Sequence, residues 1–364
     1  MKVILIGSYP PPYGGISIHM QRLYKKLMRN GINTEIYSLN KIKKENERIK
    51  YFNLKKDFIK LIFLKKDNII HFHGSSFKAR ILLATISYIF RRKVIMTVHG
   101  VSLEEEYKSL NPIGKAVYKF FLNKISYLIV VNPQIKEWCI KNNILKKKIK
   151  VIPSYINPII AEQDYKKIDK KVWKFIEERR KEKNLLITAN GNIRFYNDED
   201  LYGVDLLIEL MKELREKKYK VSLIFALLGY EQQSDKERIY FKNLLNRIKE
   251  YGLEKFIYFY KVKNTEYYPI LERCDIFIRP TNTDGDAISL REGIYFKKIC
   301  IASDVVVRPD EIILFKNRNI KELLLQVENV IKNYKIEKKR LDNIEVGEYF
   351  DEMLELYQML INKK

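Results

Sequence analysis

The stretch "RPTNTDGDAISLRE", from Arg279 to Glu292, holds two arginines, two aspartates and a glutamate. Three kinds of chemistry fit these residue types. Asp284 and Asp286 flank Gly285 just before the helix that "ISLREGIYFKK" predicts, and a carboxylate there can accept hydrogen bonds from the free N–H groups of a first turn. The same Asp-x-Asp fits a hard cation such as Mg²⁺ or Mn²⁺, which takes carboxylate oxygens. The third reading uses spacing. Glu292 lies eight residues after Asp284, so one acid sits in the loop and the other a turn or more into the helix. Both then reach a ligand lying across the helix N-terminus, whose N–H groups hold phosphate. Capping explains one carboxylate well but leaves Arg279, Arg291 and Glu292 without a role.

The first half offers different groups. His19, His71, His73 and His99 are the only histidines, and all lie before residue 100. His99 in "MTVHGVS" is followed by Gly100 and a loop, where an imidazole can bond a hydroxyl or take a proton. His71 and His73 are two apart and share a face of their strand, which makes a metal pair conceivable. Neither a cysteine nor an acid other than Asp67 is at hand to complete such a site, and no metal is expected. Gly14 and Gly15 follow the first strand and precede a helix. They let backbone approach a ligand while the helix N-terminus attracts an anion. "YPPPYGG" is not G-x-G-x-x-G, so a dinucleotide fingerprint is absent.

Positioning these groups takes a repeated pattern. "KVILIG" is short, apolar and rich in β-branched residues, as suits a strand buried on both faces. "ISIHMQRLYKKLMRNG" has apolar residues three and four apart and stops at Gly31. Strands follow at "NTEIYSL", "NIIHFHG", "KVIMTVHG", "YLIVVN" and "IKVIPS", with helices between. After the charged helix near "KVWKFIEERRKEKN" a second series begins: "LLITANGN", "VDLLIELMKELREKKY", "KVSLIFALLG", "FIYFY", "DIFIRP" and "CIASD". The pattern predicts an α/β protein of two doubly wound, Rossmann-like domains, with a boundary near residues 153–165. Ligands of such sheets sit beyond the carboxyl ends of the strands, which points to a cleft between two facing domains.

The 364 residues suit two domains, and 46% hydrophobic content is globular. Three scattered cysteines lack metal or disulfide spacing and fit a reducing compartment. The first residues make a poor signal peptide, and no stretch is apolar enough to span a bilayer. The net charge of +24 is uneven: residues 1–160 hold 30 Lys+Arg against 9 Asp+Glu, and the remainder 39 against 36. A field of that kind implies an anionic partner. Nucleic acid is not the expected one, since no binding motif for it is present. Residues 41–66, "KIKKENERIKYFNLKKDFIKLIFLKK", interleave basic residues with Phe52, Phe58, Leu61, Ile62 and Phe63. They predict a basic, apolar helix that lies on an anionic membrane.

With these residues in place, the chain resembles the retaining glycosyltransferases of the GT-B fold, of the large family-4 type, along nearly its whole length. "ILIGSYPPPYGGIS" is similar to that family's start, "TVHG" to the strand end with its active-site histidine, and "VVNPQIKEWCIKN" with "KIKVIPSYIN" to its pre-linker segment. "GVDLLIELMKEL" resembles the first helix of its donor domain. "DIFIRPTNTDGDAISLREG" resembles its acid-x7-acid motif, where two glutamates are usual. The resemblance implies an acceptor-side domain over 1–158, a nucleotide-sugar donor domain over 159–340, and a helix at 341–364 returning toward the first domain.

It further implies a nucleoside diphosphate sugar as donor, transfer with retained anomeric configuration, and no metal or other cofactor. His99 and Asp284 take the catalytic places, His99 at the donor sugar or acceptor and Asp284 by the sugar or diphosphate. Glu292 bonds the ribose, and Gly14 and Gly15 approach the diphosphate. Asn192, Arg194, Val262, Arg279, Asp286, Ser289 and Arg291 complete the expected donor site, Val262 marking the nucleobase. The family's arginine after the first donor-domain strand is displaced to Arg194, and Tyr202 stands where a lysine is usual. Arg279 and Arg194 are the expected substitutes. The implied acceptor is a glycan or polyprenyl-diphosphate-linked chain in surface polysaccharide synthesis (capsule, O-antigen or exopolysaccharide). The enzyme would then work in the cytoplasm on the inner face of the membrane. A sugar-nucleotide epimerase of the same architecture and a non-catalytic sugar-nucleotide or glycan-binding protein are the competing readings.

Overall fold

The computed structural model describes residues 1–41, 46–144, 148–263 and 265–362. The chain divides into two units: Met1–Pro11, Gly15–Ile156 and Glu348–Lys364 form one, Pro12–Gly14 and Asn157–Gly347 the other. Among the described residues no helix is long and apolar enough to cross a membrane.

The first unit is a seven-stranded sheet, ordered Ile49–Tyr51, Asn33–Ser38, Lys2–Gly7, Ile69–His73, Lys93–Val98, Tyr127–Val130 and Ile149–Val151. Every neighbouring pair is parallel. Alternate residues of one strand enter opposite cores, because side chains of a strand point to alternate faces. Ile4 and Ile6 pack with Phe72, Met96 and Leu122 on one side. Val3 and Leu5 pack with Met20, Leu23 and Leu27 on the other. Burial on both sides is why these strands read as unbroken apolar runs. The helix Phe350–Asn362 joins the second of these cores through Phe350, Met353, Leu356, Tyr357 and Leu360, although it is last in the chain.

The second unit is a six-stranded parallel sheet, ordered Ile257–Lys261, Val221–Leu227, Leu185–Gly191, Ile276–Arg279, Ile299–Ser303 and Ile313–Phe315. The same alternation holds: Ile276 and Ile278 face one core, Phe277 the other.

Three features differ from the sequence-based expectation. The segment 41–66 is not one helix. It contains the edge strand Ile49–Tyr51 and the helix Leu54–Ile62, while residues 42–45 lie outside the described ones. Phe52 and Leu61 turn into the core, so much of that segment's apolar surface serves packing. The short strand Ile313–Phe315 closes the far edge of the second sheet. The acidic stretch before "GVDLL" is an antiparallel hairpin, Phe195–Tyr196 with Glu199–Asp200. Asn197 and Asp198 both adopt positive φ at its turn (51° and 60°), the conformation a two-residue hairpin turn requires.

Candidate functional site

In the second unit the strand Ile276–Arg279 delivers Arg279 at its carboxyl end, and the loop to the helix Ile288–Tyr295 carries Asp284. Arg279 grips Asp284 twice, Nε to Oδ2 at 2.7 Å and Nη2 to Oδ1 at 3.1 Å. Arg308, beyond the neighbouring strand Ile299–Ser303, donates from Nη1 to the same Oδ2 at 3.0 Å. These side chains are nearly shielded from solvent. Burial by itself would raise the Asp284 carboxyl. The two guanidiniums outweigh it and hold that carboxyl well below the usual carboxylate range. One carboxylate thus serves two cations, leaving surplus positive charge around Asp284. Nη2 of Arg308 is buried without a hydrogen-bond partner among the described residues.

Further polar groups stand on the same elements. Arg291 bonds Asp286, Nε to Oδ1 at 2.8 Å, and Ser289 and Glu292 are buried on the helix. Asn192 follows the strand Leu185–Gly191, and its Oδ1 is buried without a partner among the described residues. Tyr202 lies against Gly191, where a Cβ would meet its ring at 2.2 Å, and the Arg279 guanidinium stands 5.6 Å from the ring centroid. Asp200 starts the following helix, Val204–Glu216, by accepting from the backbone N–H of Tyr202 (3.0 Å) and Val204 (3.1 Å). Burial, reinforced by Asp205, raises the Asp200 carboxyl to about 6.

The first unit gathers four histidines: His71 and His73 from one strand, His99 just after the next strand, and His19 from a helix. His73 ends Ile69–His73 beside Gly7, where any Cβ would fall 2.9 Å from that of His73. His99 follows Lys93–Val98, and His19 comes from the helix Gly15–Arg29. His73 Nδ1 and His99 Nε2 are 3.1 Å apart. His19 donates from Nδ1 to the Ser154 carbonyl at 2.6 Å, and His71 bonds Tyr357 Oη (2.6 Å) and Thr97 Oγ1 (2.7 Å). Burial pulls all four imidazoles down, His19 to about 4, so they are neutral at pH 7. Buried Arg80 ties the two strand-end loops together through the Gly74 carbonyl (3.2 Å) and the Ser102 hydroxyl (2.9 Å), and pairs with Glu106.

Comparison with known proteins follows the two units. Residues 13–158 match the model of the family described as Glycosyltransferase Family 4, and residues 169–345 that described as Glycosyl transferases group 1. This chain belongs to the family-4-type glycosyltransferases of the GT-B fold. No curated protein matches it significantly. A glycosyltransferase from Rickettsia africae superposes with TM-score 0.72 at 16% identity, over 100% of this chain and 99% of that one. Sucrose-phosphate synthase from Thermosynechococcus elongatus superposes with TM-score 0.70 at 16% identity, over 100% of each chain. Anabaena HepE, solved in complex with UDP, superposes with TM-score 0.66 at 15% identity, over 100% and 98%.

For the glycosyltransferase, the structure brings together some of the residues that the sequence singles out and disperses others. Arg279 and Asp284 form one ion-paired cluster, and Asp286 and Arg291 form a separate pair. Arg194 does not join Arg279. Its side chain is 60% exposed and faces Glu237 at 3.9 Å. Val262 follows the strand Ile257–Lys261 and packs on the second sheet's core. Gly14 and Gly15 have open space where a Cβ would stand. Sequence reasoning missed Arg308, whose only signal was a basic residue shortly after the carboxyl end of a strand. It also missed His19, which lies on a helix rather than at a strand end. The histidines that stand with His73 around an open nitrogen are His19 and His99. His71 has both nitrogens committed.

Proposed function

We propose that this glycosyltransferase moves a sugar from a nucleoside diphosphate sugar to a glycan or lipid-linked acceptor, with retention of configuration, in surface polysaccharide synthesis. The observation that carries the reading is the Arg279–Asp284–Arg308 cluster. Two guanidiniums held by one carboxylate at a strand end, ahead of a helix N-terminus, are suited to a diphosphate. As the bond to the sugar breaks, charge builds on the leaving diphosphate, and preorganised cations stabilise it without moving. On this reading Asp284 acts by holding the arginines, and Arg308 rather than Arg194 supplies the second cation. Glu292 takes the ribose, Asn192 and Ser289 line the donor site, and Val262 borders the base. Gly14 and Gly15 leave room for the diphosphate, and His99 serves the donor sugar or acceptor. Retention follows if donor phosphate assists the incoming hydroxyl on the face the diphosphate leaves. None of these steps requires a metal ion.

Structures solved with UDP, UDP-glucose and a UDP-2-fluoro glucose ligand among its fold relatives favour a uridine nucleotide as the first to try. A thermal-shift screen of sugar nucleotides tests the reading. At least one is expected to stabilise the protein at saturation. If none does, the donor site is misassigned. Product analysis then separates transfer from epimerisation, which consumes no acceptor.

The acceptor is proposed to be membrane-linked. Tyr88, Ile89 and Phe90 end one helix of the first unit, and Ile113, Val117 and Phe120 form an exposed stripe on another. Tyr88 and Phe120 meet at 5.6 Å between centroids, with Lys124 Nζ 4.7 Å from each ring. Arg92 bonds the Ile62 carbonyl next to Phe63, which is 80% exposed. An apolar surface rimmed by cations suits an anionic bilayer, each basic residue adding about 1 kcal/mol near the surface. The protein is thus proposed to be peripheral to the inner face of the membrane. Sedimentation with anionic but not neutral vesicles is expected, and equal recovery of a Phe120→Glu variant would remove this surface from the proposal.

A further inference from the structure

The histidine cluster of the first unit holds more than hydrogen bonds. His19, His73 and His99 form a nearly equilateral triangle, with ring centroids 5.1, 5.3 and 5.4 Å apart. One ring nitrogen from each lies within 4.8 Å of the others. Two of the buried nitrogens, Nε2 of His19 and Nε2 of His73, have no hydrogen-bond partner among the described residues. The tautomer of His19 is settled by its neighbour: a carbonyl only accepts, so Nδ1 carries the proton toward Ser154 and Nε2 carries the lone pair. A backbone carbonyl behind an imidazole is the support that metal-ligating histidines receive.

We infer that His19, His73 and His99 form a binding site for a divalent transition-metal ion, zinc by ligand type. Three imidazoles and no carboxylate select zinc and its neighbours over magnesium or calcium. Three protein ligands also leave the fourth tetrahedral position open. With Zn–N bonds of about 2.0–2.1 Å the donors stand roughly 3.4 Å apart, so the triangle closes by at most about 1.4 Å on loading. The His73–His99 hydrogen bond yields to the metal, and His71 stays outside, held by Tyr357 and Thr97. His99 is shared with the proposed transfer site, so a metal-loaded cluster and the use of His99 at the donor sugar or acceptor are alternative states; metal binding is measured without donor or acceptor and is judged apart from the transferase reading.

The test uses the full chain without a histidine tag, stripped with chelator and titrated with Co²⁺ and Zn²⁺. One equivalent of Co²⁺ is expected, with the intense visible absorption of a four-coordinate ion, displaced by Zn²⁺. His73→Gln and His99→Gln each weaken binding more than about tenfold, since loss of a supporting partner alone costs 10–100-fold. His71→Gln keeps one equivalent. X-ray absorption on the zinc-loaded wild type reads the site without any substitution, and three imidazole nitrogens are expected. Failure to bind one equivalent, binding unchanged in His99→Gln, or a zinc shell without imidazole would overturn the inference.

Discussion

Two strand-end clusters divide this protein's chemistry, and they are built on opposite electrostatic principles. In the second unit Arg279, Asp284 and Arg308 stay charged although buried, because each cation has the carboxylate within hydrogen-bonding distance. In the first unit four histidines stand together, three buried and His99 half-buried, and desolvation takes their charge. Bulk charge runs the other way. The first 160 residues carry nearly all the excess of lysine and arginine, with 30 against 9 acids, yet the arginine clamp lies in the nearly balanced remainder. A global field attracts an anionic surface over long range, whereas the diphosphate site proposed here relies on two arginines in fixed geometry. Net charge therefore says little about where the donor binds.

The largest effect is expected where charge is concentrated. Arg279→Ala or Arg308→Ala should lower kcat/KM by about 10²–10³-fold, the usual effect of removing one preorganised donor to a developing charge. Each also breaks a buried ion pair, at a cost of about 3–5 kcal/mol, so thermal melting must accompany the kinetics. Arg194→Ala is the internal control and should change the rate less than about threefold, because an exposed pair contributes little. Equal losses in Arg194→Ala and Arg308→Ala would erase the distinction drawn between them. Next come Glu292→Gln and His99→Ala, each expected to reduce transfer by about 10²-fold with the fold retained. Near-wild-type rates would take those residues out of the site.

The neutral cluster should show itself in pH rather than salt. A histidine whose folded pKa is depressed binds its proton more readily when unfolded, so stability rises with pH between the two values. For His19 that window runs from about 4 up to the ordinary 6.5, and the stability at stake is on the order of 3 kcal/mol. Chelator-treated protein should therefore lose stability as pH falls below about 6.5, most steeply where the other three imidazoles follow. Asp200 opposes this. Its carboxyl, raised to about 6, favours folding as pH falls through that value. Asp200→Asn should make the acid side of a denaturation-against-pH curve steeper, and an unchanged slope would mean that Asp200 is not perturbed as described. The smallest effect should be Tyr202→Phe. The ring fills the space over Gly191, so removing only the hydroxyl should shift stability and rate by less than about 1 kcal/mol.

Much of this is legible in the amino-acid sequence. "KVILIG", "NTEIYSL" and "DIFIRP" are strands because β-branched and apolar runs suit two-sided burial in a parallel sheet. The functional loops fall at the carboxyl ends of such strands for topological reasons. The acid spacing from Asp284 to Glu292 and the strand-end position of His99 were visible as well. The edge strand Ile49–Tyr51 was not, because three residues leave no periodicity to read. The hairpin at 195–200 was hidden too, since its turn is Asn-Asp rather than the commoner Asn-Gly.

What the amino-acid order determined by itself was local: which segments alternate, where they stop, and which groups stand at their ends. Only the tertiary structure decided which of those groups meet. Arg308 reaches Asp284 because Ile299–Ser303 pairs with Ile276–Arg279, 24 residues apart in the chain. Tyr357 reaches His71 across 286 residues because the last helix packs into the core that holds Val3 and Leu5. Convergence of that kind depends on sheet order and helix packing. These are set by the summed burial of many side chains, and no short motif encodes them.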